Sequence, residues 1–144
     1  MKRKVFNYEV SVDWEKEHQG FLGGSFKQIQ IACPPEFGGP GGIISPEDLF
    51  VASNSVCVMT TFLDFMEKAQ IKLVSYKSNA TGDMEFIDGY YRFSKIILNP
   101  KIVIYDKKNI ERTERLLKKA HDVCPVGKSS TCEIILEPEI SSEN

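Results

Sequence analysis

The four cysteines are the residues of this chain best suited to chemistry: Cys33, Cys57, Cys124 and Cys132. No two of them form a C-x-x-C pair, and the chain has only two histidines, so we expect no structural zinc site. Cys33 and Cys132 lie in strand-like runs, where free thiols usually pack as small hydrophobic side chains. Cys57 and Cys124 lie in or beside predicted helices, and these positions bear on their reactivity.

The positions of Cys57 and Cys124 predict different roles. A thiolate is the reactive form, so Cys57, in the middle of a helix, needs a cation nearby. Cys124 ends a second helix just before Pro125, where the helix dipole disfavours an anion. His121, one turn earlier, could offset this if protonated, but we interpret it as a solvated helix residue. Cys124 therefore suits a resolving role: it would attack an oxidised Cys57, and a dithiol reductant would open the resulting disulfide.

The segments before Cys57 predict strands followed by a loop. Alternating apolar residues over 5–14 and 26–33 indicate strands, with another candidate near Phe21. The segment 34–42 reads PPEFGGPGG, which excludes a helix and a central strand. It is either a plain connection or a place where backbone approaches something closely.

The helix that carries Cys57 has clear start signals. Ser45 can cap it, Pro46 suits the first helical position, and Glu47 and Asp48 suit the positive end of the dipole. We expect the helix to run to about Ala69.

This helix has few charges and is apolar on more than one side. One predicted apolar stripe contains Leu49, Ala52, Val56, Met59, Leu63 and Met66. Small or mildly polar residues occupy the opposite side: Ser53, Asn54, Cys57, Thr60 and Thr61. Such a pattern predicts a central helix buried over most of its surface. One small sheet would not cover it, so we predict a homodimer.

The second half of the chain predicts strands, a helix and a last strand. The strands are expected at 73–81, 84–87, 90–98, 102–105 and 131–136. Asp88-Gly89 signals a hairpin turn, and Asn99-Pro100 signals an interruption. The helix spans about 107–123, and its expected apolar face contains Ile110, Thr113, Leu116, Leu117, Ala120 and Val123. An acidic, frayed tail follows. We therefore predict one α+β domain over 1–144 with a mostly antiparallel sheet.

Composition excludes several functional classes. The chain has 144 residues, is 42% hydrophobic and 26% charged, and carries a net charge of -2. It has enough apolar residues for a core and no basic footprint for nucleic acid. The start, MKRKVFNYEV, lacks the apolar stretch of a signal peptide, and no segment reaches the length of a membrane span. We expect a cytoplasmic protein with neither membrane nor nucleic-acid partner.

Three motifs resemble the OsmC/Ohr superfamily. The loop FGGPGG at 37–42 runs into SPEDL at 45–49 and on to Cys57, which resembles the family's glycine loop, helix start and helix cysteine. DGYYRF at 88–93 resembles the hairpin that follows, and AHDVCPV at 120–126 resembles the second cysteine motif. Together they extend over nearly the whole chain in the family's order.

The resemblance implies a fold, an activity and site residues. It implies an intertwined OsmC-like dimer that reduces organic hydroperoxides or hydrogen peroxide with no cofactor. It also implies that Cys57 is the peroxidatic cysteine, that Cys124 is the resolving cysteine, and that Glu47 orients a catalytic arginine.

The chain departs from the family at that arginine, which the family takes from a loop between early strands. The chain's arginines are Arg3, Arg92, Arg112 and Arg115, none of them in the corresponding loop, 15–24. Lys16, His18 or Lys27 could supply charge, but lysine lacks the planar fork of arginine. We therefore expect a slower enzyme or a different range of substrates.

The position of Glu47 leaves three interpretations. Ten positions of straight helix place it roughly 15 Å from Cys57. The helix bends, or the two residues come from different subunits, or Glu47 only favours the helix dipole.

Two other functions fit the same sequence. The apolar helix and glycine loop could bind an apolar ligand without catalysis. Alternatively, disulfide formation could serve as a redox sensor that changes contact with a partner.

Overall fold

The computed structural model describes residues 3–144. Met1 and Lys2, in the basic N-terminal start, lie outside the described residues. The chain divides into two compact units, Met1–Phe50 and Val51–Asn144, which are described in turn. The predicted α+β class is confirmed. Within residues 3–144, strands precede and follow one long helix along the chain, and shorter helices come after it. The single domain over 1–144 stays a prediction.

A small antiparallel sheet forms the first part of the first unit. Its strands, in order across the sheet, are β1 (Ser11–Lys16), β2 (Gln19–Gly23) and β3 (Ile29–Ala32). The predicted strand over 5–14 begins later than its alternation suggested, because residues 3–10 form no strand. Every residue of β1 is exposed in a single copy of the chain. The alternating apolar residues of β1 therefore lie on the surface of a single copy and do not face a core.

The glycine-rich segment 34–42 is a loop, as predicted, with one short 3-10 turn at Pro35–Phe37. Gly38 ends this turn with a φ of 95°, which favours glycine. A Cβ on Gly39 would collide with the carbonyl oxygen of Cys33. The close approach in this loop is therefore to the chain's own backbone.

The long helix α1 (Pro46–Lys68) begins where the sequence predicted. The backbone N–H of Asp48 donates to the Ser45 hydroxyl at 3.0 Å, and the backbone N–H of Ser45 donates to the Asp48 carboxylate at 2.9 Å. This reciprocal capping occupies backbone groups that the first turn leaves open. The helix ends one residue before the predicted Ala69.

The buried face of α1 differs from the predicted stripe. Its buried residues are Asn54, Val58, Phe62 and Met66. Of the predicted stripe only Met66 is buried, whereas Val56 and Leu63 are 52% and 37% exposed. Apolar residues occupy several sides of α1, so the pattern alone could not select the side that is covered. One copy of the chain leaves most of α1 uncovered, so burial over most of the helix stays a prediction for the dimer.

The length and composition of α1 would allow it to cross a membrane. It has 23 residues, and its best window has a mean hydropathy of 1.5 and is 22% buried. The prediction that no segment reaches the length of a membrane span is therefore wrong for α1. Core helices of folded proteins meet the same criteria, so this finding is weak evidence for a membrane span.

A long antiparallel hairpin dominates the second unit. Its strands are β4 (Leu73–Ile87) and β5 (Tyr90–Ile104). Asp88 and Gly89 form the predicted turn, with φ angles of 54° and 91°. Positive φ at both positions is typical of the tight turn that matches the twist of paired strands. The two strands expected around 82–83 are one strand with an irregularity between Asp83 and Met84.

Pro100 does not interrupt β5, contrary to the prediction. It lies opposite Ser78 of β4 and is buried. The Leu98 carbonyl, on the other side of β5, accepts from the Glu137 N–H at 2.8 Å. The backbone groups of residues two apart point to the same side of a strand. The position where Pro100 lacks an N–H therefore also faces away from β4. No ladder bond is needed there, because the strands on that side pair with 95–98 and 101–104 only.

Two short strands extend the sheet on that side of β5. They are β6 (Glu133–Leu136) and β7 (Glu139–Ser142), and both run parallel to β5. The sheet is otherwise antiparallel, as predicted. The expected frayed tail is wrong, because β7 satisfies backbone groups along β5, with the Glu143 N–H reaching the Ile104 carbonyl at 3.0 Å.

Two helices lie between β5 and β6: α2 (Ile110–Val123) and α3 (Pro125–Lys128). The buried residues of α2 are Thr113, Leu117 and Ala120, which confirms that part of its predicted face. Val123 is exposed instead. The core of this unit combines side chains from α1, β5 and α2, among them Phe62, Ile96, Leu98, Ile102, Ile104 and Leu117.

Candidate functional site

Cys57 lies near the middle of α1 with a half-buried, free thiol. The helix is continuous through this position, and Val58 and Phe62 are buried on its core side. Since the backbone of a helix is rigid, this anchoring sets the direction of the Cys57 side chain. The thiol can therefore be reached from outside without unfolding the helix.

Cys124 lies where the chain changes direction. It ends α2 and immediately precedes α3, with φ -57° and ψ 119°, outside the helical region. Pro125 occupies the first position of α3, where its missing N–H breaks no helical bond. The Cys124 side chain is free and only 1% exposed.

The structure brings these two thiols together. The thiol of Cys124 hydrogen-bonds the side chain of Cys57, although 67 positions separate them in sequence. Burial raises the pKa of the Cys124 thiol, and the hydrogen bond to Cys57 raises it further. Cys124 is therefore held in its protonated form, able to donate to the Cys57 sulfur.

The backbone around Cys124 corrects one part of the sequence argument. We expected the C-terminal end of α2 to disfavour an anion here. The backbone N–H groups of Gly127 and Val126, at the start of α3, act in the opposite direction and lower the pKa of Cys124. Burial outweighs them, so the predicted direction is correct and its main cause is desolvation.

Glu47 lies in the first turn of α1, ten positions before Cys57 along an unbroken helix. Its Oε1 atom is buried and has no hydrogen-bond partner among residues 3–144. A buried carboxylate oxygen without a donor is energetically costly. The helical assignment runs from Pro46 to Lys68 without a break, and the three interpretations of Glu47 stay predictions.

The other two cysteines have different contacts. Cys33 follows β3, and its thiol donates to the Phe37 carbonyl at 3.3 Å within the glycine loop. Cys132 precedes β6 and lines a cavity of about 200 Å³. Burial raises the pKa of Cys132, which the charge of Arg92 partly offsets. Both are half-buried rather than fully packed, so the expectation of core thiols holds only in part.

His121 is not the solvated residue that the sequence suggested. Its Nε2 atom is 3.0 Å from the carbonyl oxygen of Ile134 in β6. A carbonyl only accepts, so Nε2 carries the proton and the ring is tied to the sheet. Its Nδ1 atom lies 3.5 Å from the Asp122 carboxylate.

Within residues 3–144, no three side chains of His, Cys, Asp or Glu come together as a metal-binding set. Among the arginines, Arg92 acts on Cys132, and Arg112 and Arg115 lie exposed on α2.

The chain is thus an α+β protein in which a thiol on the long helix contacts a thiol at the end of the second helix. The model of the OsmC-like protein family matches residues 39–139, so this chain belongs to that family. An uncharacterized protein of Acinetobacter baylyi is 26% identical over 99% of this chain and 98% of its own length.

Solved structures share the fold. An OsmC-like protein of unknown function from Vibrio cholerae has a TM-score of 0.85 and 22% identity, covering 93% of this chain and 99% of its own. An organic hydroperoxide resistance protein from Elizabethkingia anophelis has a TM-score of 0.75 and 20% identity, covering 99% and 100%. A protein of Legionella pneumophila described as organic hydroperoxide resistance protein OsmC has a TM-score of 0.73 and 20% identity, covering 96% and 99%. Two proteins named for organic hydroperoxide resistance therefore share this fold.

Sequence reasoning missed Asn54 as a site residue. It was placed only among the small polar residues on one side of α1, yet it is fully buried three positions before Cys57. The available signal was its place on the helix face of Val58 and Phe62, four and eight positions later, because a polar side chain buried on such a face needs partners.

Proposed function

We propose that this protein is a thiol-dependent peroxidase that reduces organic hydroperoxides or hydrogen peroxide through Cys57 and Cys124. The observation that carries the proposal is the hydrogen-bonded contact between these two thiols from distant parts of the chain. Structural packing of thiols requires no such contact, whereas a sulfenic acid–disulfide cycle does.

Exposure and protonation assign the roles. Cys57 is half-buried, and its sulfur accepts from Cys124, so it is the peroxidatic residue. Cys124 is 1% exposed and held protonated, so it reacts second. A peroxide reaches the Cys57 thiol from solvent, whereas the enclosed Cys124 thiol is reached only by the sulfur of Cys57.

The cycle balances in three steps. The Cys57 thiolate attacks one peroxide oxygen, the O–O bond breaks, and the leaving oxygen takes a proton to give an alcohol or water. The Cys124 sulfur then attacks the Cys57 sulfenic acid, forming the disulfide and releasing water. A dithiol reductant opens the disulfide by two exchange steps and leaves as its own disulfide.

Glu47 has a proposed supporting role. Its buried, unpartnered Oε1 supports the assignment of a carboxylate that orients a cationic side chain. The family uses arginine for this purpose. Because the early loop 15–24 lacks arginine, a slower first step or a different range of peroxides remains our expectation.

A homodimer forms part of the proposal. Val56 and Leu63 leave an apolar strip of α1 exposed in one copy of the chain, and Trp14 of β1 is 78% exposed. Apolar surface of this kind favours a second copy as its cover. The cytoplasm, which keeps thiols reduced, is the proposed location.

Substitution of the two cysteines tests the proposal. In Cys57→Ser, hydroperoxide consumption with a dithiol should fall more than about a thousandfold, because the nucleophile is gone. In Cys124→Ser, one equivalent of peroxide should still oxidise Cys57, and the sulfenic acid should persist long enough for dimedone to trap it.

Cys132→Ser is the matched control, because that thiol lies outside the pair, and its turnover should stay within about twofold of wild type. Full turnover in Cys57→Ser, or unreactive thiols in a wild-type protein carrying a bound apolar molecule, would refute the peroxidase and favour a ligand-binding protein.

A further inference from the structure

Asn54 is a polar side chain buried in the apolar face of α1. It is 1% exposed and lies three positions before Cys57, so both residues lie within one turn of the helix. Removing an amide from water is unfavourable unless it gains hydrogen bonds in return. The contacts of the Asn54 side chain should therefore explain why α1 carries an asparagine at this position.

One of these contacts is with Ser130, 76 positions later in the chain. The Ser130 Oγ atom lies 3.4 Å from Oδ1 of Asn54. The same hydroxyl donates to the Val126 carbonyl at 2.9 Å. The Ser130 hydroxyl thus directs its one proton toward two acceptor oxygens, with the shorter bond to Val126 and the longer one to Asn54.

Ser130 also belongs to the turn that holds Cys124. The Ser130 N–H donates to the Gly127 carbonyl at 3.1 Å, and the Lys128 N–H donates to the Cys124 carbonyl at 2.9 Å. These bonds close the chain from 124 to 130 into one compact turn. A Cβ on Gly127 would lie 3.9 Å from the Cys124 sulfur, which shows how closely the turn packs around the thiol.

The segment 124–130 thus touches α1 at two points. One is the contact between Cys124 and Cys57, and the other is the contact between Ser130 and Asn54. When Cys57 is oxidised, its hydrogen bond with Cys124 is altered, whereas the Asn54 contact does not depend on sulfur chemistry. The second contact can therefore hold the turn in place during the reaction.

We propose that Asn54 and Ser130 are positioning residues that keep Cys124 within reach of the Cys57 sulfur. This deepens the proposed function and rests on it for its catalytic meaning. The expected effect is a higher effective concentration of the Cys124 sulfur at Cys57. A second point of attachment restricts the turn and raises the chance that the two sulfurs meet.

The thiol–disulfide equilibrium with glutathione measures this effect without peroxide. Oxidised glutathione converts the two thiols into their disulfide and leaves as two reduced glutathione molecules, so the equilibrium constant reports the effective concentration of the pair. In Ser130→Ala it should fall about three- to tenfold, which corresponds to the loss of one modest hydrogen bond. Ser130→Thr keeps the hydroxyl and should restore most of the wild-type value.

Ser129→Ala is the matched control. The Ser129 hydroxyl donates to the Pro125 carbonyl at 2.8 Å, so it stabilises the same turn. Ser129→Ala therefore removes a hydrogen bond within the turn and keeps the Ser130 hydroxyl that contacts Asn54. A fall in the equilibrium constant for Ser130→Ala but not for Ser129→Ala supports positioning through Asn54. Equal falls, or no fall for Ser130→Ala, overturn it.

Single-turnover kinetics separate this proposal from the peroxidase itself. Ser130→Ala should leave the rate of Cys57 oxidation unchanged and slow decay of the sulfenic acid to the disulfide by the same factor. Slowing of both steps alike would overturn the positioning role. A wild-type protein that fails to consume peroxide, with the glutathione shift intact, would refute the peroxidase and leave the positioning role supported.

Discussion

At the scale of single residues, the two thiols differ more in surroundings than in chemistry. Cys57 is half-buried on a rigid helix, and Cys124 is enclosed at a helix junction. The sequence predicted that Cys124 would resist ionisation, and the structure supplies burial as the main reason. The distinction matters because a dipole acts weakly and over a short range, whereas desolvation persists whatever the state of Cys57.

The raised pKa of Cys124 predicts how disulfide closure depends on pH. Its pKa lies above the ordinary value of 9.0, so below pH 9.0 the reactive thiolate is a minor species. Its fraction then grows about tenfold per pH unit. The decay rate of the Cys57 sulfenic acid, followed by stopped flow, should rise through this whole range without a plateau.

Oxidation of Cys57 in Cys124→Ser serves as the reference for this profile, because it reports the first step alone. A plateau in the closure rate between pH 7 and 8 would contradict the raised pKa of Cys124.

At the scale of elements, α1 packs closely against the β4–β5 hairpin at Gly82. A Cβ at Gly82 of β4 would lie 2.7 Å from Cγ2 of Val51 and 2.9 Å from a ring carbon of Phe93. Real Cβ atoms essentially never lie this close to another heavy atom outside their own residue, so a side chain at position 82 would force Val51 or Phe93 to shift. The hairpin therefore sets the depth at which the helix bearing Cys57 lies.

Gly82→Ala should lower the free energy of unfolding by about 1–3 kcal/mol, as overpacking of a tight contact does. Urea denaturation of the reduced protein measures it. Gly127→Ala is the control, because its added Cβ would meet Ile134 and Cys124 only at 3.6–3.9 Å. Equal stability of the two variants would argue against this tight seating.

At the scale of the whole molecule, α1 leaves apolar surface uncovered in one copy of the chain. Val56 is 52% exposed within 51–63, the uncharged middle stretch of α1. The helix meets the length and composition of a membrane span, yet a second copy of the chain would cover the same surface. The oligomeric state in solution distinguishes a membrane-spanning helix from a helix covered by a second copy of the chain.

Val56→Asp should weaken the proposed dimer at least about tenfold, because a charge would be buried at the interface. Sedimentation should show the wild type at twice the 16.3 kDa of one chain and the variant shifting toward the single-chain mass. Lys118→Glu, on the exposed face of α2, is the control for a charge change. A monomeric wild type, or an unshifted Val56→Asp dimer with native circular dichroism, would contradict the proposal.

Local signals in the sequence were sufficient for much of this molecule. The capping by Ser45 and Asp48, the Asp88-Gly89 turn and the end of α2 before Pro125 all follow from short-range bonding and allowed backbone angles. The cysteine pair was recognised through motif resemblance, because spacing alone cannot bring residues 57 and 124 together.

Only the tertiary structure decided the non-local features. The covered face of α1 depends on what packs against it, and Pro100 fits within β5 because its missing N–H falls between two strands from the end of the chain. The tail forms β7 because β5 offers unpaired backbone groups. The buried Asn54 contacts Ser130, which belongs to a distant turn. Each outcome depends on a partner remote in sequence, which no local pattern encodes.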